Sequence, residues 1–367
     1  MKPGDKLTIK DQRKLIIKDS LISEKSLRPE QGKFNKLTDD IYWAQLPLPF
    51  RLDHINVFLI DSIEGLIIID CGIKNEVTEK NWEKLLRNLP VKKEITKIIV
   101  SHHHPDHIGF AKVLSKKIKV NVYAPKIEYS RSKTILNLPD HEYGNIITSA
   151  YKKFGFSDEF NSTIYNQGNY YGHLVKELPD FIPISLPYEI KTNNGVWKGR
   201  FDTGHSPSQL SFYDEKRKLF LCIDFLLPRI TPNISVGIEN IDQDILLKYF
   251  EYLESIQKMD EDWLVIPSHE YAYYDPVKRA KNLIIHHNTR LKKILSIFTD
   301  SDVNNVTTSY VLKELFGDLE DNHEIFHASC EARSHLNYLI SKQQLVKSVN
   351  DEGVEIYNRN NFFDFWL

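Results

Sequence analysis

The segment Ser101-His102-His103-His104-Pro105-Asp106-His107-Ile108-Gly109 directly follows an apolar run at 95–100 that reads as a buried strand. Loops at the carboxyl ends of such strands are common functional positions in α/β proteins. Imidazoles and a carboxylate this close together would be costly to bury unpaired, and both are ligands that zinc accepts. A tight loop can aim His102 and His104 at one ion while Asp106 and His107 reach a neighbouring ion. The alternating direction of extended backbone turns His103 away, so His103 is not counted as a ligand. The alternative is a solvated polar loop.

The chain around this segment alternates strand-like and helix-like patterns. Apolar β-rich runs and helical spacing occur in the order strand 55–60, strand 65–70, helix 75–88, strand 95–100, helix 110–116 and strand 120–124. Residues 126–180 are mostly helical in pattern and rich in Tyr, and short strands return from residue 182. Residues 276–298 form a long amphipathic helix. This alternation predicts an α/β fold.

The histidine-rich segment resembles the Thr-His-x-His-x-Asp-His-x-Gly motif of the metallo-β-lactamase-fold hydrolases, with Ser101 in place of Thr. Four further motifs of that family occur in the expected order along the chain. The Asp70 motif, Ile69-Asp70-Cys71-Gly72, precedes the histidine-rich segment; His205 within 203–213, Asp224 at the end of 219–224 and His269 within 266–270 come after it. Ser208, Ile223 and Ser268 replace glycines that are common in these motifs. The resemblance covers about residues 38–298 and implies the αββα sandwich of this family.

The resemblance also implies a site with two zinc ions, for which iron or manganese are the alternatives. It assigns His102, His104 and His205 to the first ion and Asp106, His107 and His269 to the second, with Asp224 bridging them. Asp70 would orient the ligands, as outer carboxylates of metal sites often do. The attacking group would be a metal-bridging hydroxide, and Asp106 could accept a proton during the attack. The two catalytic candidates are therefore Asp106 and Asp70.

The sequence divides into three predicted parts. Residues 1–36 are a polar N-terminal extension, 37–298 are the catalytic domain, and 299–367 resemble the winged-helix domain attached to a subgroup of this family. Residues 126–180 are expected to be a helical insertion that covers the pocket. The candidate wall residues are its aromatic side chains, namely Tyr151, Phe154, Phe156, Tyr165, Tyr170 and Tyr171; the alternative is that they are core aromatics of the insertion.

Composition excludes some function classes. The 367 residues carry a net charge of −2, and no apolar run is long enough for a membrane span. The three cysteines lie far apart, and the N-terminus lacks a secretory signal pattern, so a cytoplasmic location is expected. Residues 299–367 hold five Lys or Arg against twelve Asp or Glu, a surface that would repel phosphates. Binding of nucleic acid is therefore not expected, and we expect the C-terminal part to wall the pocket or form a homodimer.

These observations favour a hydrolase of a small organic ester, thioester or lactone. Two other enzyme classes remain open: a phosphodiesterase or single-strand ribonuclease, and a mononuclear iron dioxygenase of the persulfide type. A binding module without catalysis is a further alternative, but the ligand set is complete. The sequence does not distinguish among substrates.

Overall fold

The computed structural model of the protein describes residues 16–17, 20–23, 28–299 and 305–360. The predicted N-terminal extension therefore falls partly outside the described residues. The described strands Ile16–Ile17 (β1) and Ser20–Leu21 (β2) pair antiparallel. The next residues reach the main body, because Ser23 N donates to Ala272 O at 3.0 Å.

A seven-stranded sheet carries the first half of the chain. Its strands lie in sequence order: Asn35–Lys36 (β3), Ile41–Pro47 (β4), His54–Ser62 (β5), Gly65–Ile69 (β6), Ile95–Ile99 (β7), Asn121–Pro125 (β8) and Phe181–Ile184 (β9). Pairing is antiparallel up to β6 and parallel from β6 to β9. The parallel strands place their carboxyl ends at one edge, where Asp70 and the histidine-rich loop emerge.

Helices fill the connections of this sheet. They are Glu76–Arg87 (α1), Pro105–Ile108 (α2), Ala111–Ile118 (α3), Lys126–Leu136 (α4), Asp140–Phe154 (α5), Asp158–Tyr165 (α6) and Tyr170–Val175 (α7). The predicted helix at 75–88 is confirmed with both ends in place: the Asn75 side chain caps α1 by accepting from Thr78 N at 2.7 Å. The last four helices confirm the helical pattern predicted for 126–180.

A six-stranded sheet carries the second half. Its strands, again in sequence order, are Glu189–Lys191 (β10), Val196–Asp202 (β11), Gln209–Asp214 (β12), Leu219–Ile223 (β13), Leu264–Pro267 (β14) and Tyr273–Tyr274 (β15). Helix Ile245–Ile256 (α8) lies between β13 and β14, and helix Pro276–Ile297 (α9) follows the sheet. The predicted long helix at 276–298 is thereby confirmed to within one residue.

The two sheets face each other across a buried core. Phe58 and Ile69 of the first sheet pack in one cluster with Trp197, Phe212 and Ile266 of the second. A second cluster covers the outer face of the first sheet with side chains of α1 and α3, and a third covers the outer face of the second sheet with α8 and α9. Helices outside two facing sheets make an α/β sandwich, as expected from the alternation of elements.

The C-terminal part contains two helices and a hairpin: Thr308–Phe316 (α10), Asn322–Ser341 (α11), Leu345–Val349 (β16) and Glu355–Arg359 (β17). The Asp321 side chain caps α11 by accepting from Glu324 N at 2.9 Å. About two turns of α11 therefore precede Cys330. None of the described helices has the length and apolar character that a membrane crossing needs. The winged-helix assignment stays a prediction.

Candidate metal centre

The histidine-rich loop is held in place by Asp70, which directly follows β6. Asp70 is fully buried and has a φ of 63°, a left-handed conformation that turns its carboxylate towards the loop. Its Oδ1 accepts from Ser101 N, and its Oδ2 accepts from Ser101 Oγ, both at 2.7 Å. Oδ2 also lies 2.8 Å from His107 Nδ1. Asp70 thus fixes the start of the loop and orients His107.

The structure brings together all seven predicted ligands. Two groups form, and within each group the ligand atoms lie within 4.8 Å of one another: His102, His104, His205 and Asp224 in one, and Asp106, His107 and His269 in the other. In the first group, His102 Nε2 and His104 Nδ1 are 2.9 Å apart and face the same point. The division between the groups is the one that the family resemblance implied.

Asp224 lies between the two groups. Its Oδ2 is 3.3 Å from the Nε2 atoms of both His107 and His205 and 3.8 Å from that of His102, whereas its Oδ1 is 3.5 Å from His269 Nε2. Asp106 closes the second group with its Oδ2 3.6 Å from His107 Nε2 and 3.5 Å from His269 Nε2. The Asp224 carboxylate is therefore positioned to bridge two cations.

In three of these rings, the nitrogen that faces away from the cluster, Nδ1, is hydrogen-bonded to a backbone or side-chain oxygen. His205 Nδ1 donates to Asn233 O at 3.0 Å, and His269 Nδ1 donates to His54 O at 2.8 Å. Such bonds fix the ring orientation and tautomer of metal-binding histidines and leave Nε2 free for an ion. Among the described residues, the buried Nε2 atoms of His107 and His205 have no hydrogen-bond partner. Unpaired ring nitrogens of this kind, which lie beside carboxylates and offer a lone pair, fit a divalent cation.

Burial and charge perturb the titration of the cluster. Burial, reinforced by neighbouring imidazoles, holds the pKa values of His102 and His104 well below the ordinary value. Burial also acts to lower the pKa of His107, but Asp224, Asp106 and Asp70 outweigh it and hold that pKa well above the ordinary value. Burial acts to raise the pKa of Asp224, yet His107 and His269 bring it well below the usual range. His102 and His104 are therefore neutral and Asp224 is ionised, which are the protonation states that metal ligands need, whereas His107 would have to release its proton to bind an ion.

A buried carboxylate that the sequence analysis missed, Glu128 of α4, joins the two ligand loops. Its Oε2 accepts from His103 N at 3.1 Å and from His103 Nδ1 at 2.6 Å, and its Oε1 accepts from Ser206 Oγ at 2.9 Å and from Ser208 N at 2.5 Å. His103 thus points away from the cations, as predicted. The sequence offers no local signal for Glu128, because its partners lie 25 to 80 positions away.

The candidate wall aromatics fall into two sets. Tyr151 and Phe154 are fully buried in a cluster of the helical insertion, and Phe156 packs against the same cluster. These three are core aromatics. Tyr171 lies against the site, since its hydroxyl donates to His103 O at 2.6 Å, and Tyr170 contacts the ring of His323. Tyr165 lies close to Gly144 of the neighbouring helix within the insertion.

The family model described as the metallo-beta-lactamase superfamily matches residues 51–269, which contain all seven ligands and Asp70. The chain belongs to this superfamily. A protein named probable metallo-hydrolase YqjP, from Bacillus subtilis (strain 168), is 21% identical over 322 residues, which are 84% of this chain and 95% of that protein. The crystal structure of a beta-lactamase domain protein from Burkholderia ambifaria is 26% identical, with a TM-score of 0.80 over 90% of this chain and 94% of the other.

Two further proteins are similar to this chain over shorter segments. An exodeoxyribonuclease YycJ of Bacillus anthracis is 29% identical over 102 residues, 28% of this chain and 34% of that protein. A hydroxyacylglutathione hydrolase of Baumannia cicadellinicola subsp. Homalodisca coagulata is 28% identical over 92 residues, 25% of this chain and 33% of that protein. On its superfamily membership and ligand cluster, the chain is a metal-dependent hydrolase.

Proposed function

We propose that this superfamily member is a dinuclear hydrolase of a small organic ester, thioester or lactone. The observation that carries the proposal is the position of Asp224, whose carboxylate lies within 3.8 Å of imidazoles from both ligand groups. His102, His104 and His205 would hold one zinc ion, Asp106, His107 and His269 the other, and Asp224 both. Iron or manganese are the alternative metals, since the same ligands accept them.

When bound, the ions would lower the pKa of water to about 7 and polarise the carbonyl of the substrate. The residues of the chain have separate tasks. Asp106 is the more exposed of the ligand carboxylates, with 18% of its side chain accessible, and could receive a proton from the attacking water. Asp70 keeps the Nδ1 proton of His107 in place and thereby keeps Nε2 a ligand.

An aromatic cluster at the start of α11 supports a small organic substrate. The ring of His323 contacts the rings of Phe50 and Tyr170, and two carboxylates, Asp321 and Glu324, lie on the same helix end as His323. Aromatic walls suit the organic part of an ester or thioester, whereas acidic side chains repel a phosphate backbone. The hydroxyacylglutathione hydrolase similarity supports the same class.

The C-terminal part has a supporting role in this proposal. We propose that residues 299–367 form the winged-helix domain of a subgroup of this superfamily and that this domain walls the pocket rather than binding nucleic acid. It would also serve as the contact of a homodimer. Two helices followed by a hairpin, and a charge of −7 over 299–367, support this. A cytoplasmic location is supported by Cys71, Cys222 and Cys330, which are free and buried.

The test is elemental analysis of the purified protein beside a panel of thioesters, esters, lactones, phosphodiesters and RNA. We expect two metal ions per chain and turnover of a member of the first three classes. His104→Ala should lose metal and turnover while staying folded, and His141→Ala, an exposed histidine of α5, is the matched control. Full metal content with retained turnover in His104→Ala would overturn the ligand assignment.

A nuclease is the second candidate, favoured by the similarity to the exodeoxyribonuclease over 28% of this chain. Turnover of RNA or a phosphodiester, with inert thioesters, would establish it in place of the first. A single iron per chain with oxygen consumption on a persulfide would instead indicate a mononuclear dioxygenase. The panel therefore separates the three classes by product and metal count.

A further inference from the structure

The first two turns of α11, which the C-terminal part contributes, carry two histidines, His323 and His327. Desolvation lowers the pKa of His323, whereas the carboxylates of Asp321, Asp106 and Glu324 act to raise it. Burial, together with the charges of His323 and His205, brings the pKa of His327 to about 3. The charges of two candidate ligands, Asp106 and His205, thus act on these two rings.

His323, Phe50 and Tyr170 form a wall of three aromatic rings. The ring of His323 stacks on Phe50 at a centroid distance of 5.3 Å and an angle of 15°. The ring of Tyr170 lies 5.9 Å from it on another side, at 58°. Both His323 and Tyr170 are exposed, so a bound molecule can reach these side chains. Phe50 comes from the loop after β4, and Tyr170 from the start of α7, which packs against α2, the helix that carries Asp106. Three distant segments thus converge on His323.

A second histidine fixes the position of this wall. The His327 ring lies 4.5 Å from that of His323, and its Nδ1 accepts from the Asn233 side chain at 2.6 Å. The backbone carbonyl of Asn233 in turn accepts from His205 Nδ1 at 3.0 Å. Ser235 Oγ donates to both the Asn233 side chain and His327 O, at 2.5 and 3.1 Å. The start of α11 is therefore tied to a metal ligand through one short hydrogen-bonded segment.

We propose that His323, with Phe50 and Tyr170, forms a substrate-contacting subsite that binds a planar group of the substrate, such as an aromatic acyl or leaving group. Ring faces beside the reacting centre stabilise a planar group by stacking, and they do so less well for a branched aliphatic one. This inference rests on the proposed hydrolase function and names the substrate part that the site selects.

Benzoate, a planar carboxylate that matches the product of an aromatic ester, is the probe. Its binding to the zinc-loaded full chain is measured by calorimetry for the wild type, His323→Ala, His323→Phe and His173→Ala. His173 is the matched control, because it is an exposed histidine that also contacts the Tyr170 ring but belongs to α7 rather than to α11. We expect His323→Ala to weaken binding about tenfold, His323→Phe to stay within about threefold of the wild type, and His173→Ala to leave binding unchanged.

Kinetics provide the second measurement. On phenyl acetate, His323→Ala should raise KM about tenfold with kcat within about threefold, a split that general unfolding would not give. Equal benzoate affinity in the wild type and His323→Ala, no binding by the wild type, or no rescue by His323→Phe would each overturn the subsite. Benzoate binding that depends on His323, without turnover of any ester, thioester or lactone, would instead refute the proposed function alone.

Discussion

Replacement of Glu128 by glutamine should loosen the metal centre without touching a ligand. Glu128 is 1% exposed and accepts four hydrogen bonds, two on each carboxylate oxygen, from the backbone and ring of His103 and from Ser206 and Ser208. Burial acts to raise its pKa, but the His103 ring and the hydrogen bonds outweigh this and bring the pKa below the usual value. Glu128 is therefore ionised at neutral pH.

The magnitude follows from the bonds that glutamine cannot make. Its amide has a single oxygen, so in either orientation two of the four donors face an NH2 group that cannot accept. Hydrogen bonds to a charged acceptor contribute about 1.5–3 kcal/mol each, and two of them give about 3–6 kcal/mol. Because the loops can relax, we expect the lower end, a loss of about 3 kcal/mol in the free energy of unfolding.

The measurement is urea denaturation of the zinc-loaded protein, followed by chelator competition for the metal. Ser206 adjoins the ligand His205, and His103 lies between His102 and His104, so Glu128→Gln should also weaken metal affinity about 10–100-fold. Glu142→Gln, an exposed residue of α5, is the control and should change neither quantity. A Glu128→Gln protein with wild-type metal affinity and an unfolding free energy within about 0.5 kcal/mol of the wild type would refute this reasoning.

Three further changes test the site and its surroundings. Asp70→Asn should lower zinc affinity about 10–100-fold in a chelator competition, because the hydrogen bond that orients the His107 ring becomes weaker. Unchanged affinity would show that Asp70 does not orient a metal ligand. Protein without metal should have a free energy of unfolding about 2.7 kcal/mol lower than protein in free metal at 100 times the dissociation constant. An unchanged melting temperature after metal removal would contradict the assignment of these residues as metal ligands. Burial brings the pKa of His335 in the folded protein to about 3, whereas an unfolded histidine has a pKa of about 6.5. The free energy of unfolding is therefore unaffected by His335 above pH 6.5 and falls by about 1.4 kcal/mol per pH unit as the pH drops from 6.5 towards 3. Acid unfolding of His335→Gln should show a shallower pH dependence than the wild type, and equal slopes would exclude His335 as the source.

Much of the fold was predictable because its signals are local, whereas the candidate ligand set followed from the family resemblance. Asp70 and the loop from Ser101 to Gly109 each follow an apolar parallel strand of the first sheet, and such strand ends meet at one edge. Asp224 follows a strand of the second sheet and reaches them through the packing of the two sheets. Alternation of the extended backbone was enough to turn His103 away from the cations.

The remaining features depend on contacts between distant segments. Glu128 looks like one of many helix carboxylates until the fold places it between His103 and Ser206. The start of α11 has a weak signal in the sequence, because Asp321 acts as the cap ahead of a polar, histidine-rich turn with little apolar periodicity. Tyr151 could not be separated from Tyr170 by sequence, since burial among neighbours decides which aromatic side chain reaches a pocket.

The cluster on the outer face of the second sheet does not stop at the end of the predicted catalytic domain. Leu283 and Leu291 of α9 share it with Ala332 and Leu336 of α11, and all four are buried. A fragment cut after residue 298 would expose this apolar face to water and would be prone to aggregate. The C-terminal part therefore cannot be exchanged between relatives as an independent unit. A chimera has to take α9 and α11 from the same parent, and a substitution that changes the packing surface of one helix needs a compensating substitution on the other.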